Sequence, residues 1–151
     1  MNYRFNKKME LSDDLLWAKK TLTRMLTRRD HSELEIRQKL SLRFLDKTIE
    51  ETLEWANKLG WLQNPEILAF KLTESLNRKN KGVRYIQNQL RKKGLPVISI
   101  DEEKELHKAQ RLVSKKFGTP IDSKLYRKII LFLQQRGFDS TVIQKVIYEN
   151  R

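Results

Sequence analysis

The sequence predicts an all-α protein in which three tandem three-helix repeats form an elongated, curved helical array. Apolar residues recur every three or four residues along nearly the whole chain, which is typical of helices with one buried face. A second pattern, Ile-x3-Leu-x3-(Gly or Phe)-apolar, begins at Ile36, Ile86 and Ile129. A recurrence of this length indicates stacked helical units that bury each other's apolar faces. We therefore expect eight or nine helices.

The first predicted repeat covers residues 13–61 and follows an N-terminal extension over residues 1–12. Apolar residues at helical spacing predict a first helix at about residues 13–28 and two further helices after it. Aromatic residues at helical spacing are usually buried, so three residues are predicted to belong to the core. These are Trp17, Trp55 and Trp61.

Consecutive Asp30, His31 and Ser32 are the three residue types of a nucleophilic hydrolase. In a working triad the histidine bridges the other two residues from opposite edges of its ring, and adjacency in sequence does not favour that geometry. Ser32 followed by Glu35 is instead the pattern of a capping box, in which each side chain accepts a hydrogen bond from a backbone N–H at a helix start. We predict the cap and not an active site.

The second predicted repeat covers residues 64–100 and has a shortened third helix. Asn64 before Pro65 favours a helix start, because asparagine accepts a hydrogen bond at the N-cap and proline suits the first helical position. Gly82 is predicted to open the next helix. The segment PVISI, residues 96–100, has strand-like composition, but nothing is predicted to pair with it. We interpret it as an extended linker or a short stub of helix.

The third predicted repeat covers residues 101–151 and contains a helix-turn-helix outline, with Asp139 or Ser140 as the cap of the last helix. The last helix offers few polar side chains to a DNA groove, so we interpret the two helices as a packing hairpin. Four glycines follow predicted helices and are expected to end them with a positive φ. They are Gly60, Gly94, Gly118 and Gly137.

Charge is the strongest compositional feature of the chain. Its 32 lysines and arginines against 19 acids give a formal net charge of +13 and a pI near 10.0. A field of this sign favours polyanions, above all nucleic acid. The chain has no cysteine and two histidines, and it shows no phosphate loop, metal-spaced cluster or paired catalytic carboxylates. Without a signal peptide or membrane-spanning run, it is predicted to be a cytoplasmic protein that is not an enzyme and uses no cofactor or metal.

Positive charge is concentrated in the middle of the chain. Lys71 to Lys93 contains eight basic residues and one acid, whereas Asp46 to Glu66 contains five acids and two bases. Basic residues of the first repeat are predicted to extend this cluster, and a tyrosine within it could stack on a base. The predicted binding surface comprises Arg28, Arg29, Arg37, Lys39, Arg43, Arg78, Lys79, Lys81, Arg84, Tyr85, Arg91, Lys92 and Lys93.

Part of this charge has a purely structural explanation. A lysine or arginine in the last turn of a helix interacts favourably with the helix dipole by about 0.3–1 kcal/mol without any ligand. The sequences LRKKG, SKKFG and LQQRG fit that explanation. Arg84 lies near a predicted helix start, where the dipole opposes a cation, so a functional reason is favoured at this residue.

Three segments together resemble the RecX family, bacterial regulators of the RecA recombinase. LTRRDHSELEIRQKL is similar to the family's Ala-Arg-Arg-Asp-His-Ser pattern followed by Glu-Leu and Lys-Leu. Residues 59–95 are similar to the second block, with Gly-aromatic-Leu, Lys-Gly and Ile-x3-Leu-x3-Gly. Residues 115–147 are similar to the third block, with Lys-Lys-aromatic and Arg-Gly-Phe. The resemblance covers about residues 13–148.

The resemblance implies tandem three-helix repeats and a negative modulator of RecA. Such a protein would bind RecA and its filament on single-stranded DNA, with double-stranded DNA as a further ligand, and would inhibit ATP hydrolysis, strand exchange and filament extension. It would act in DNA repair, DNA recombination and the SOS response, and we expect a monomer that does not bind membranes. Two alternatives stay open: a general nucleic-acid-binding helical module without a recombinase partner, and a helical adaptor for an acidic protein.

Overall fold

The computed structural model of the chain describes residues 10–149, which contain eight α-helices and one 3-10 helix. The helices are α1 (Leu15–Arg28), α2 (Glu33–Leu40), α3 (Asp46–Lys58), α4 (Pro65–Arg78), α5 (Val83–Lys92), α6 (Glu102–Phe117), α7 (Tyr126–Gln135) and α8 (Ser140–Glu149), and the 3-10 helix, Ser123–Leu125, immediately precedes α7. The predicted all-α class and helix number are confirmed. Most of the predicted N-terminal extension, residues 1–9, and the end of the third repeat, residues 150–151, lie outside the described residues.

The chain divides into two compact units, residues 1–68 and residues 69–151. The first contains α1, α2 and α3, which enclose one apolar core. The chain before α1 is held to the turn between α2 and α3 by backbone hydrogen bonds. The Ser12 N–H donates to the Arg43 carbonyl at 2.7 Å, and the Ser12 carbonyl accepts from the Leu45 N–H at 3.0 Å. The core comprises Ala18, Leu22, Ile36, Leu40, Phe44, Ile49, Leu53 and Ala56.

The prediction that all three tryptophans are core residues was wrong for two of them. Trp17 is 42% exposed and Trp61 is 46% exposed, whereas Trp55 is half-buried against the core of the first unit. Trp17 lies at the edge of that core and packs edge-on against Phe44, with ring centroids 4.8 Å apart. Trp61 follows α3 and packs edge-on against Trp55 at 5.1 Å. Each ring therefore covers the core from outside.

The second unit contains most of α4 together with α5 to α8. Residues 95–101 form neither helix nor strand, so of the two interpretations of this segment the linker is confirmed and the stub of helix was wrong. The boundaries of the three predicted repeats stay a prediction. The main core of this unit lies among α6, α7 and α8 and comprises Ala109, Val113, Ile121, Ile129, Leu133, Phe138, Val142, Ile143 and Val146.

The recurring Ile-x3-Leu pattern corresponds to core positions in α2, α5 and α7. Each isoleucine and leucine of the three pairs has at most 1% exposure. The four glycines predicted to end helices all have a positive φ, between 64° and 89°. In the first copy Phe44 takes the place that glycine has in the other two, and its ring is fully buried. The pattern therefore marks one equivalent helix and its ending turn in three places.

Candidate nucleic-acid interface

The residues Asp30, His31 and Ser32 do not form a catalytic triad. Ser32 accepts from the Glu35 N–H at 3.2 Å, and the Glu35 carboxylate accepts from the Ser32 N–H at 3.2 Å, which is the predicted capping box of α2. The His31 ring lies elsewhere: its Nδ1 is 2.9 Å from the Arg29 carbonyl oxygen and its Nε2 is 3.4 Å from Lys39 Nζ. Neither ring nitrogen is shared with the serine or the aspartate.

His31 is buried beside two cations, and its neutral form is favoured there. Burial lowers the pKa of His31 below its ordinary value of 6.5, the hydrogen bond with the Arg29 carbonyl acts in the opposite direction, and the charges of Arg29 and Lys39 lower it again. Below pH 6.5 the unfolded chain therefore binds more protons at this residue than the folded chain. The stabilisation by neutral His31 is complete above about pH 6.5 and is lost as the pH falls through the lower folded value.

We expect the free energy of unfolding of the wild-type chain to fall between pH 7.5 and pH 5.5, before most carboxylates titrate. Urea unfolding of the first unit, monitored by tryptophan fluorescence, measures this dependence. The substitution His31→Gln should flatten it, whereas H107Q, at the exposed second histidine, should leave it unchanged. A pH dependence that survives in H31Q would assign the effect to another group.

Two of the predicted binding residues in the first unit are held by carboxylates. Arg29 pairs with Glu35 at 2.7 Å. Arg37 pairs with Glu33 at 2.8 Å and with Glu50. Hydrogen bonds with these two carboxylates raise the pKa of Arg37 above its ordinary value, and Arg37 in turn lowers the pKa of Glu50. Because both arginines already face acids, their charge is partly neutralised before any ligand arrives.

A shallow cleft in the first unit brings three predicted binding residues together. Arg28, Arg29 and Lys39 line it, and its volume is about 380 Å³. Arg24, which the sequence analysis did not select, lines the same cleft. Arg43 and Arg37 are not among its lining residues. The cationic cleft therefore contains three of the five residues predicted for the first unit and one basic residue, Arg24, that was not predicted.

In the second unit, the loop between α4 and α5 is fixed to the turn between α7 and α8 by backbone contact. The Gly82 N–H donates to the Arg136 carbonyl at 2.8 Å, and the Arg84 N–H donates to the Gly137 carbonyl at 2.9 Å. A Cβ atom on Gly82 would lie 2.3 Å from backbone atoms of Gly137 and Phe138. Glycine is therefore required at this helix start because another stretch of backbone lies against it.

A buried ion pair on α6 supports the same loop from beneath. Lys108 Nζ lies 2.7 Å from the Glu105 carboxylate, and the two side chains are 7% and 3% exposed. The lysine also donates to Asn77 Oδ1 at 2.8 Å and to the Lys81 carbonyl at 2.6 Å, while the carboxylate accepts from the Val83 N–H at 2.7 Å. A cation thus faces the C-terminal end of α4, and an anion faces the N-terminal end of α5, as the two helix dipoles favour.

Sequence reasoning missed Glu105 and Lys108 as residues that shape the loop. Charged residues three apart on a helix are usually exposed, so the burial of this pair was not predicted. A signal was nevertheless present, because Glu105 and Lys108 share a helix face with the apolar residues Ala109 and Leu112. That spacing places both charges on the buried side of α6.

The predicted basic residues in and beside the loop between α4 and α5 differ in their exposure and in the groups that they contact. Arg78 and Lys79 are exposed. Lys81 Nζ lies 4.8 Å from the centre of the half-buried Tyr85 ring, so one side of that ring is already covered. Arg84 pairs with Asp139 at 3.0 Å, which supplies the structural reason that the sequence did not reveal for a cation at this helix start. Arg91 and Lys92 at the end of α5 are exposed, and Lys93, which follows the helix, is half-buried.

The described residues offer little else that would support chemistry. Within residues 10–149 no group of three or more histidines and acids is arranged to hold a metal ion. No helix in that range combines the length and the apolar character needed to span a membrane. The arrangement is suited to binding a polyanion through exposed cations on rigid helices.

Comparison with known proteins gives a consistent family relationship. The family profile described as RecX, first three-helix domain, matches residues 18–55, and the profile of the third three-helix domain matches residues 102–147. The regulatory protein RecX of Acinetobacter baylyi is 36% identical over 132 residues, which cover 82% of each chain. A regulatory protein RecX from Oceanobacillus iheyensis is 28% identical over an alignment of 170 positions that covers 99% of this chain and 62% of that longer protein.

The fold agrees with the sequence comparison. The crystal structure of RecX from Lactobacillus salivarius superimposes with a TM-score of 0.73 at 22% identity, covering 93% of this chain and 98% of that chain. This likeness concerns the fold, and the relationship to the Acinetobacter protein establishes the family. The chain therefore belongs to the RecX family of regulatory proteins.

Proposed function

We propose that this chain is a negative modulator of the RecA recombinase that binds RecA and its filament on single-stranded DNA. It would inhibit ATP hydrolysis, strand exchange and filament extension. The observation that carries the proposal is the exposed cationic loop between α4 and α5 in a member of a regulatory family. Buried contacts hold this loop in place, so its charge is presented to a partner at small conformational cost.

The proposed mechanism is non-enzymatic. Exposed lysines and arginines would attract the phosphates of filament DNA in a salt-dependent way, and contact with RecA itself would give selectivity. The bound protein would block the next protomer or the incoming duplex. It would need no cofactor, since any effect on ATP hydrolysis would belong to RecA.

The test is ATP hydrolysis by a cognate RecA on single-stranded DNA while this protein is titrated in. Its affinity for the naked DNA is measured in the same buffer. Inhibition at concentrations well below those that coat the DNA supports a regulator directed at the filament. Inhibition that appears only when the DNA is saturated would favour the general nucleic-acid-binding module, and inhibition that DNA cannot compete away, with no affinity for DNA, would favour the adaptor for an acidic protein.

Removing charge from the loop should weaken inhibition without unfolding the chain. We expect the triple variant K79Q/K81Q/R84Q to need about tenfold more protein for half-inhibition, because it loses the phosphate contacts of Lys79 and Lys81 together with the charge of Arg84, which Asp139 already partly neutralises. The control K47Q/K58Q removes two exposed bases from the acidic stretch of α3 and should inhibit like the wild type. Circular dichroism checks folding of both. Unchanged inhibition by the folded triple variant would remove this loop from the interface.

A further inference from the structure

The loop between α4 and α5 is in contact with a second segment rich in cations, of which the sequence analysis assigned Lys115, Lys116 and Arg136 to helix ends. From Arg111 to Arg136 the chain contains seven basic residues and one acid, Asp122. The carboxylate of Asp122 accepts from the Lys124 N–H at 3.0 Å and so caps the 3-10 helix. This segment is almost as rich in unbalanced positive charge as the stretch from Lys71 to Lys93, which has eight basic residues and one acid.

Two cations from different helices converge on one aromatic ring in this segment. Lys116 Nζ at the end of α6 lies 4.3 Å from the centre of the Phe132 ring, and Arg136 Cζ after α7 lies 5.3 Å from it. Lys128 lies one turn before Phe132 on α7 and is exposed. We call Lys116, Lys128, Phe132 and Arg136 the Phe132 surface. A single helix dipole explains one cation at its own end, but not the convergence of two helices' cations.

An aromatic partner leaves the charge of a cation available, whereas a carboxylate neutralises it. The ring quadrupole attracts and orients the cation but carries no net charge. Within residues 10–149, no carboxylate pairs with Lys116, Lys128 or Arg136. By contrast, Lys145 is paired with Glu102 at 2.9 Å on another part of the same unit. Phe132 therefore holds Lys116 and Arg136 in place and keeps them able to bind an anion.

The Phe132 surface continues into the loop between α4 and α5. The Arg136 guanidinium reaches the Lys79 carbonyl at 3.5 Å, and the adjacent Gly137 lies against Tyr85, since a Cβ there would be 2.5 Å from the tyrosine Cβ. Tyr85 in turn carries Lys81 over its ring. Cations held by aromatic rings thus form one connected series from the loop to α6 and α7.

We infer that the Phe132 surface is a second binding site for the phosphate backbone of single-stranded DNA, continuous with the loop. The inference rests on the proposed function, and it adds contacts on α6 and α7 that extend the path of the strand. Phosphates would bind to the outward side of Lys116, Lys128 and Arg136, while Phe132 keeps the first and last of these cations in position. Each contact that releases a counterion from a single strand adds about 0.7 to the slope of log affinity against log salt.

The test is the affinity of the double variant K116Q/R136Q for a labelled oligothymidylate over a range of NaCl concentrations. We expect weaker binding and a slope reduced by about 1.4, from two lost phosphate contacts. The charge-preserving variant K116R/R136K should keep the wild-type slope. The control K104Q/K145Q also removes two positive charges, one of them about 18 Å away along α6, and should change the slope less.

Thermal unfolding verifies that each variant is folded. A folded K116Q/R136Q protein with the wild-type slope would overturn the inference, and it would leave the proposed function standing if the wild type still inhibits RecA below DNA saturation. A variant that loses inhibition but keeps its affinity and slope for naked DNA would also overturn it, because the surface would then bind an acidic protein. A wild type that never inhibits RecA would refute the proposed function separately.

Discussion

The substitution Gly82→Ala should lower the stability of the second unit by about 2–4 kcal/mol. Gly82 has φ −77°, which alanine adopts without strain, so at an open position this change would stabilise the chain slightly. Here the new Cβ would lie 2.3–2.4 Å from backbone atoms of Gly137 and Phe138, which cannot rotate away. Overpacking of this kind costs about 1–3 kcal/mol, and each backbone hydrogen bond that opens adds about 1 kcal/mol.

Amide hydrogen exchange is the measurement that localises this effect. Two native hydrogen bonds, from the N–H groups of Gly82 and Arg84, join the loop to the α7–α8 turn. In G82A we expect faster exchange in peptides that cover residues 79–86, with no change in peptides from α1 to α3. The same variant should bind single-stranded DNA more weakly, because the loop carrying Lys79 would no longer be held against Arg136.

The matched control for G82A is Gly60→Ala. Gly60 has φ +70°, but a Cβ atom added to it would meet no other atom within 4 Å. Alanine there should cost about 1–2 kcal/mol through backbone strain alone and should leave exchange in the loop unchanged. If G82A destabilised the chain no more than G60A, the close approach of the two backbones would be refuted.

Local patterns predicted most of the helical architecture, because its determinants lie within a few residues of one another. The capping box at Ser32, the proline start of α4 and the glycine ends of helices all depend on neighbours in sequence. The repeated Ile-x3-Leu pairs also identified core residues correctly, since one helix face decides their burial. The prediction that Trp17 is buried was wrong because helical spacing alone does not distinguish the centre of a buried helix face from its edge.

The candidate interface was less predictable, because its electrostatics depend on residues distant in sequence. The partner of Arg84 is Asp139, and one partner of Arg37 is Glu50; neither pair follows from local spacing. The sequence predicted that α5 begins at Gly82, but it did not predict that the backbone of Gly137 lies against this residue and requires a glycine there. Lys116 and Arg136 were explained as helix-end charges, and only the tertiary structure brings both to Phe132.

Breaking the ion pair beneath the loop should produce the largest loss of stability in the second unit. Removing one partner of a buried pair leaves an uncompensated charge and costs about 3–5 kcal/mol. We expect this for Glu105→Gln, which keeps an acceptor for the Val83 N–H but leaves Lys108 charged and buried. We expect it also for Lys108→Met, which removes the donor to Asn77 and to the Lys81 carbonyl. Urea unfolding followed by circular dichroism measures both.

The double variant measures the interaction between Glu105 and Lys108 apart from the contacts that each makes with other residues. E105Q/K108M buries no uncompensated charge, so its loss of stability should be smaller than the sum of the two single losses by more than about 1 kcal/mol. The exposed pair Glu102 and Lys145, 2.9 Å apart with side chains 61% and 47% exposed, is the control. Its single variants should each cost less than about 1 kcal/mol and its cycle should be nearly additive. If the buried cycle were additive as well, Glu105 and Lys108 would not act as a unit, and the loop would depend on its contact with Gly137 alone.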